Sequence, residues 1–321
     1  MRFRLTDDQR ALRDGLREAL TRRFDTAALR TVLEGAVTER VGGGSAAGDE
    51  GAAGGRCAVR APRLDRELWR FLGDLGFFSL RVPEADGGVG LGLPEAVLLF
   101  EEAGRALLPG PLVATHLAAG AVPGAATGET VVAAVDGGLV EWLDEADVVR
   151  GDTTGAVPLR SADPLTPLHR VPAGQAAPDP APDPVAVLLT AAEQLGTAGR
   201  VCALAAQHAR AREQFGRPVG AFQAVAHLCA GILVRAETAR AAVYAAAVTA
   251  DPADIAAART LADEAAVRGA RDCLQVHGGM GFTWESEVHL HLKRAWVRTQ
   301  RAGGVTESEE TLAAALAPET A

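Results

Sequence analysis

Arg212-Glu213-Gln214-Phe215-Gly216-Arg217-Pro218, with Gln223 close behind, and then, about sixty residues on, Gln275-Val276-His277-Gly278-Gly279-Met280-Gly281-Phe282: the fold is read from these two segments. The first lies on a helical stretch, and the second is a glycine cluster between two helical patterns. Glycine has no Cβ, so backbone N–H groups there can approach a diphosphate closely, and a separate arginine supplies the opposing charge. The pair suggests a dinucleotide held by helix ends. Neither segment has the strand-then-G-x-G-x-x-G context of a Rossmann turn or the trailing Lys-Ser/Thr of a Walker loop. Taken singly, Gly278-Gly279 reads as a helix C-cap, Arg212 as a solvated helix charge and Phe215 as a core residue. Their joint spacing with Gln223 and Gln275 favours the nucleotide.

Two further blocks stand near the N-terminus. Leu5-Thr6-Asp7-Asp8-Gln9-Arg10 opens an amphipathic helix, and Pro83-Glu84-Ala85-Asp86-Gly87-Gly88-Val89-Gly90 forms a turn followed by Glu101-Glu102-Ala103-Gly104-Arg105. In this order and at these distances the blocks resemble the acyl-CoA dehydrogenase family of flavoproteins, over roughly residues 1–35, 65–125 and 184–300. The resemblance implies a mainly α fold with a small β middle: an N-terminal helical domain (1–125), a reduced β domain (126–183) and a C-terminal four-helix bundle (184–321). It also implies FAD. Arg212 would pair with the diphosphate, Gln214 would hydrogen-bond it, Phe215 would pack on the cofactor and Gln223 would support the site. Gln275, Gly278 and Gly279 would meet the ribose and diphosphate. In the family's tetramers these segments reach across to a flavin bound mainly by a neighbouring subunit. The groups that hold the flavin ring in such proteins, a Glu-Pro-x-x-Gly-Ser-Asp segment and a Trp-x-Thr segment, are not found between residues 120 and 183, where the only tryptophan is Trp142.

Composition narrows the alternatives. The chain has 321 residues, enough for about two domains and a substantial core. With 48% hydrophobic but only 4% aromatic residues and abundant alanine, it favours closely packed helices over a sheet sandwich. A formal charge of -9 argues against nucleic acid or an anionic membrane as partner. The cysteines Cys57, Cys202, Cys229 and Cys273 form no CxxC pair, so neither a zinc site nor a disulfide framework is signalled. No run of about 18 uncharged apolar residues marks a membrane span, and the expectation is a cytoplasmic protein with reduced thiols.

Apolar positions at Leu5, Leu12, Leu16 and Leu20 predict a helix over 4–23, and further helices are expected over 68–75, 94–107 and 111–121. Gly42 to Gly55 reads as a flexible insertion. Thr130–Val135 and Ala146–Val149 are β-like runs. The prolines of 178–184 mark a boundary, after which helices are expected over 184–213, 221–249, 252–276 and 285–301.

The chemistry of the family needs a carboxylate to take the proton alpha to a thioester, and burial against apolar substrate raises its pKa toward working pH. At the family's spacing from Gln275 that position is Ala302, and at the alternative position on the first bundle helix it is Ala186. Neither is an acid. Glu193, seven residues beyond Ala186 and on about the same helical face, is the candidate base, or else a structural acid at a helix contact. Glu307, Glu309 and Glu310 read as the acidic start of a last helix. His277, His289 and His291 lack a carboxylate or cysteine to complete a metal set and read as polar helix surface.

Three readings follow. The first is a short subunit working on an acyl-CoA in a heteromeric complex, with a homologous partner whose flavin it helps to bind and an electron-transfer acceptor. The second is a self-sufficient homomer using Glu193, and the third is a helical partner that only completes or stabilises a catalytic homologue.

Overall fold

The computed structural model describes residues 4–37, 62–172 and 182–317; Cys57 and the stretch read as a flexible insertion lie outside the described residues. The N-terminal part is helical: α1 (Asp7–Arg23), α2 (Thr26–Val37), α3 (Arg66–Asp74), α4 (Leu93–Arg105) and α5 (Leu112–Ala118). Local chemistry sets the starts. Thr6 and Gln9 form a reciprocal capping box at α1, and Asp65 accepts the N–H groups of Glu67 and Leu68 at α3. In the Pro-Glu-x-x-Gly-Gly turn, a side chain at Gly88 would meet the Val82 carbonyl at 2.1 Å, so the chain doubles back too tightly for any other residue.

A five-stranded sheet follows, with β1 (Val132–Asp136), β2 (Leu139–Glu141), β3 (Val148–Arg150), β4 (Val157–Leu159) and β5 (Leu168–Arg170) in the order β3-β1-β2-β5-β4. β1 and β3 are parallel, and the other neighbours are antiparallel, with Val140 opposite both Val135 and His169. β2, β4 and β5 escaped the sequence reading because runs of three residues carry almost no periodicity. Thr115 of α5 fastens β1 to the helices, donating to the Val132 carbonyl and accepting its N–H at 3.1 and 3.0 Å.

The C-terminal bundle comprises α6 (Pro184–Ala211), α7 (Gln223–Thr249) and α8 (Pro252–His277), long helices packed on one another, with the shorter α9 (Val288–Arg298) and α10 (Gly304–Leu316) against α8. α6 and α8 begin alike, with an Asp N-cap followed by proline. Every residue from Val187 to Ala198 is buried, because α6 is covered by α4, α7, α8 and α9. The crossing with α4 is backbone to backbone: a methyl at Gly104 would lie 2.0 Å from the Glu193 carbonyl, and one at Gly196 would lie 1.9 Å from the Glu101 carbonyl. That contact sets the depth of Glu193.

Two expectations fail here. The Arg212–Pro218 stretch is not helical, since α6 ends at Ala211 and a hairpin of β6 (Glu213–Gln214) and β7 (Arg217–Pro218) follows. Phe215 and Gly216 form its tip with φ 55° and 77°, and Phe215 is 89% exposed rather than a core residue. His289 and His291 are buried, not surface residues, because α9 is wedged between the bundle and its neighbours. Among the described residues, no three His, Cys, Asp or Glu side chains come together in a way that could hold a metal ion.

Candidate functional site

The sequence-predicted nucleotide residues gather at one end of the bundle. α6 and α8 both end there and α7 begins there, an arrangement fixed by antiparallel packing. The His208 and His277 rings, one turn before the end of α6 and at the last residue of α8, stack with centroids 4.1 Å apart. Arg212 follows immediately: as the C-cap of α6 its N–H donates to the His208 carbonyl at 2.8 Å. Burial, then the neighbouring His277 and Arg212, hold the His208 imidazole below its usual pKa. The hairpin folds back over the start of α7, where the Phe222 ring meets Phe215 edge-on at 6.0 Å and lies under the Arg217 guanidinium at 4.3 Å. Gln223 is the next residue. From the other side come Gln275, whose carbonyl accepts the Gly278 N–H, and the glycine turn itself.

All seven of these residues (Arg212, Gln214, Phe215, Gln223, Gln275, Gly278 and Gly279) are exposed. Around them Met280, Phe282 and Trp284 are 58%, 70% and 57% exposed, an unusual amount of bare apolar surface. Gly278 needs its backbone freedom, at φ 59°. Gly279 does not: its φ is ordinary and an added Cβ would meet nothing within 4 Å. Arg212, the exposed amides and the α7 start, where no side chain caps the N–H groups, suit a diphosphate. The glycines follow a helix C-terminus, however, so the α8 dipole opposes an anion there and the charge must come from Arg212 and the α7 start.

A second site lies between the sheet and the bundle. It is a cleft of about 620 Å³ with one apolar wall, from Pro111 to Leu117 on α5, and one charged wall on α9. Ala302 and Ala186, the two positions at which the family spacing would place a base, both line it, and so does Glu193. Arg298 Nη2 donates to Glu193 Oε1 at 2.8 Å. Burial pushes the Glu193 carboxyl above its usual range, and Arg298 opposes that shift. Arg294 is held by Asp163 and by the Leu108 carbonyl. Arg301 Nε donates to Asp136 Oδ2 at 2.9 Å, and Glu141 closes on the same guanidinium. None of these arginines and only Glu193 among their partners was singled out from sequence. The signal was there: Arg294, Arg298 and Arg301 are spaced i, i+4, i+7, one face of a helix.

Known proteins resemble this chain in both sequence and fold. A family model described as the acyl-CoA dehydrogenase C-terminal domain matches residues 187–315, and the N-terminal domain model matches residues 55–130. Acyl-CoA dehydrogenase IpdE2 of Mycobacterium tuberculosis is 38% identical over 271 residues, covering 76% of this chain and 85% of that protein. In fold, the chain is similar to one in the ChsE4-ChsE5 complex from Mycobacterium tuberculosis (TM-score 0.75, 24% identity, 99% and 100% of the two chains). It is similar also to the Tcur3481-Tcur3483 steroid ACAD (TM-score 0.74, 24% identity, 96% and 97%). No described helix is long and apolar enough to cross a membrane. With helical N- and C-terminal domains flanking a small sheet, and with FAD as the cofactor of its kind, the chain belongs to the acyl-CoA dehydrogenase family.

Proposed function

We propose that this chain is one subunit of a heteromeric, FAD-dependent acyl-CoA dehydrogenase, and that it contributes the nucleotide-facing end of its bundle to a flavin seated mainly in a homologous partner. The observation that carries this is the convergence at the His208–His277 stack. It brings Arg212, Gln214 and Phe215 beside Gln275, Gly278 and Gly279, all facing outward with no side-chain hydrogen bond among the described residues. Both structural neighbours described above pair two named chains, ChsE4 with ChsE5 and Tcur3481 with Tcur3483, which fits the reading.

The family's reaction removes the α proton of an acyl-CoA thioester and passes the β hydride to the flavin. In this chain Arg212 would neutralise diphosphate charge, Gln214 and Gln275 would donate or accept beside it, and Phe215 would cover it from water. A bulky acyl group, such as a steroid side chain, is the substrate class suggested by the steroid ACAD neighbour. The test is co-expression with a homologous acyl-CoA dehydrogenase chain encoded nearby. Arg212→Ala and Gln275→Ala should each lower the flavin retained by the complex; full retention in both would sink the proposal.

A self-sufficient homomer is the second reading, favoured by one observation: Glu193 lies on the cleft wall with its carboxyl pushed up by burial. Glu193→Gln decides between them. Turnover of the assembled enzyme falls by orders of magnitude if Glu193 is the base, and is unchanged if it only partners Arg298.

A further inference from the structure

The walls of the cleft decide whether this chain can also seat a flavin ring of its own. Asp136 ends β1 and points its carboxylate at the α9–α10 junction, where Oδ2 accepts both Arg301 Nε at 2.9 Å and the Ala302 N–H at 2.7 Å. Glu141, on the neighbouring strand, closes on the other side of the Arg301 guanidinium. The junction is itself unusual: Ala302, Gly303 and Gly304 are all left-handed, with φ 51°, 77° and 67°. An alanine keeps that conformation only where its surroundings impose it, and the Asp136 bond to its N–H does so. Deeper in the cleft, Arg298 and Arg294 are matched by Glu193 and Asp163.

A flavin ring presents carbonyl oxygens and ring nitrogens that need hydrogen-bond donors, on a flat aromatic body that needs apolar cover. Here the backbone donor at Ala302 is already spent on Asp136. Carboxylates stand at the strand ends, where they would face the ring's own acceptors. The cleft has volume, but its arginine donors are already engaged, and freeing them for a ring would separate ion pairs in a low-dielectric wall. The residues present suit the adenosine diphosphate half of FAD and not its ring.

We propose that Asp136, Glu141 and Arg301 form an internal plug that excludes a flavin ring from this chain's cleft and pins the α9–α10 junction to the sheet. The family's active cleft is thereby turned into a structural joint. Only the question of what the chain does with flavin elsewhere rests on the preceding reading.

Lumiflavin, the ring without phosphate or adenosine, is the probe for the full chain. The expected result is no saturable quenching of its fluorescence, and no more than one FAD per two chains released on denaturing the complex. Saturable quenching that Ala186→Phe abolishes would put the ring inside the cleft and overturn the plug; quenching that survives Ala186→Phe lies elsewhere and leaves the plug standing. More than one FAD per two chains would also overturn it. The two proposals fail separately: flavin content unaffected by Arg212→Ala removes the lending of the nucleotide end, whereas the plug stands or falls on the lumiflavin titration and the stoichiometry.

Discussion

The bundle end and the cleft treat charge in opposite ways. At the bundle end Arg212, Gln214 and Gln275 are exposed and none of their side chains is engaged among the described residues, while Phe215 and Phe282 stand in solvent beside them. In the cleft the arginines of α9 and of the turn after it each meet a carboxylate: Arg294 meets Asp163, Arg298 meets Glu193, and Arg301 meets Asp136 and Glu141. Polar groups left open on a surface cost little and are available to a ligand, whereas polar groups closed on each other inside are expensive to reopen. One fold thus carries a region poised for intermolecular contact and a region that has satisfied itself.

The sharpest way to break that comparison is to unbalance the cleft. Asp136→Ala leaves the half-buried Arg301 with Glu141 alone and frees the left-handed Ala302 from its anchor. Losing the carboxylate that accepts from both Arg301 and the Ala302 N–H costs about 1–3 kcal/mol, and thermal denaturation should show it as a drop in Tm. Asp136→Ala combined with Arg301→Met and Glu141→Gln should recover part of the loss, since no charge of the cluster is then left without its partner. A Tm insensitive to Asp136→Ala would mean that the pairs are ornamental.

Acid should distinguish the regions next. His116 of α5 is buried, with Nδ1 3.1 Å from the Phe77 carbonyl and its ring edge-on to Phe100, and burial lowers its pKa from 6.5 to about 4. The unfolded chain therefore binds more protons than the folded one between about pH 4 and 6.5. Stability is full above that window and falls as the pH drops through it, by up to about 3 kcal/mol for this one group. His116→Leu should flatten the Tm-against-pH curve in that range, and an unchanged curve would acquit this residue.

At the bundle end the expected effect is smaller and of a different kind. Arg212→Ala removes a charge-assisted contact to diphosphate, about 1.5–3 kcal/mol, or roughly 10- to 150-fold in flavin affinity of the complex. The Tm of this chain alone should not move, because the guanidinium holds nothing within it. A large drop in Tm would show that Arg212 is structural.

Much of this division was legible in the residues. The long bundle helices announce themselves through Asp-Pro starts at Asp183-Pro184 and Asp251-Pro252, and the two segments paired by spacing, around Arg212 and Gln275, lie at one end of the bundle. The helix expected over 184–213 overruns α6, which ends at Ala211, and the hairpin at Glu213–Pro218 goes unseen because two-residue strands leave no periodic trace. Counting to Ala302 and Ala186 reached the cleft, yet the plug was missed. Asp136 and Arg301 are 165 residues apart, and nothing local couples an acid at a strand end to an arginine at a helix end. Likewise, a His in Val288-His289-Leu290-His291 looks polar by composition, and only the packing of α9 reveals it as buried. Short-range rules recover elements and caps; a pairing made by tertiary closure is recovered only from the folded chain.

The smallest effect on the fold belongs to the glycine turn, and it separates a site from a cap. Gly278 lies at φ 59° and ψ -142°, a region that costs other residues about 1–3 kcal/mol, so Gly278→Ala should lower the Tm whatever the turn is for. Gly279 has no such constraint and open space where its Cβ would be, so Gly279→Ala should change the stability of this chain by no more than about 0.5 kcal/mol. If that glycine is there because a diphosphate approaches it from outside, the same methyl group should still weaken flavin retention in the complex, and Gly279→Val should weaken it further. Retention equal to wild type in both variants would make the turn a helix ending and nothing more. Loss of flavin at undiminished Tm is the one pattern that a purely structural glycine cannot produce, because its signature would have to appear in the isolated chain first.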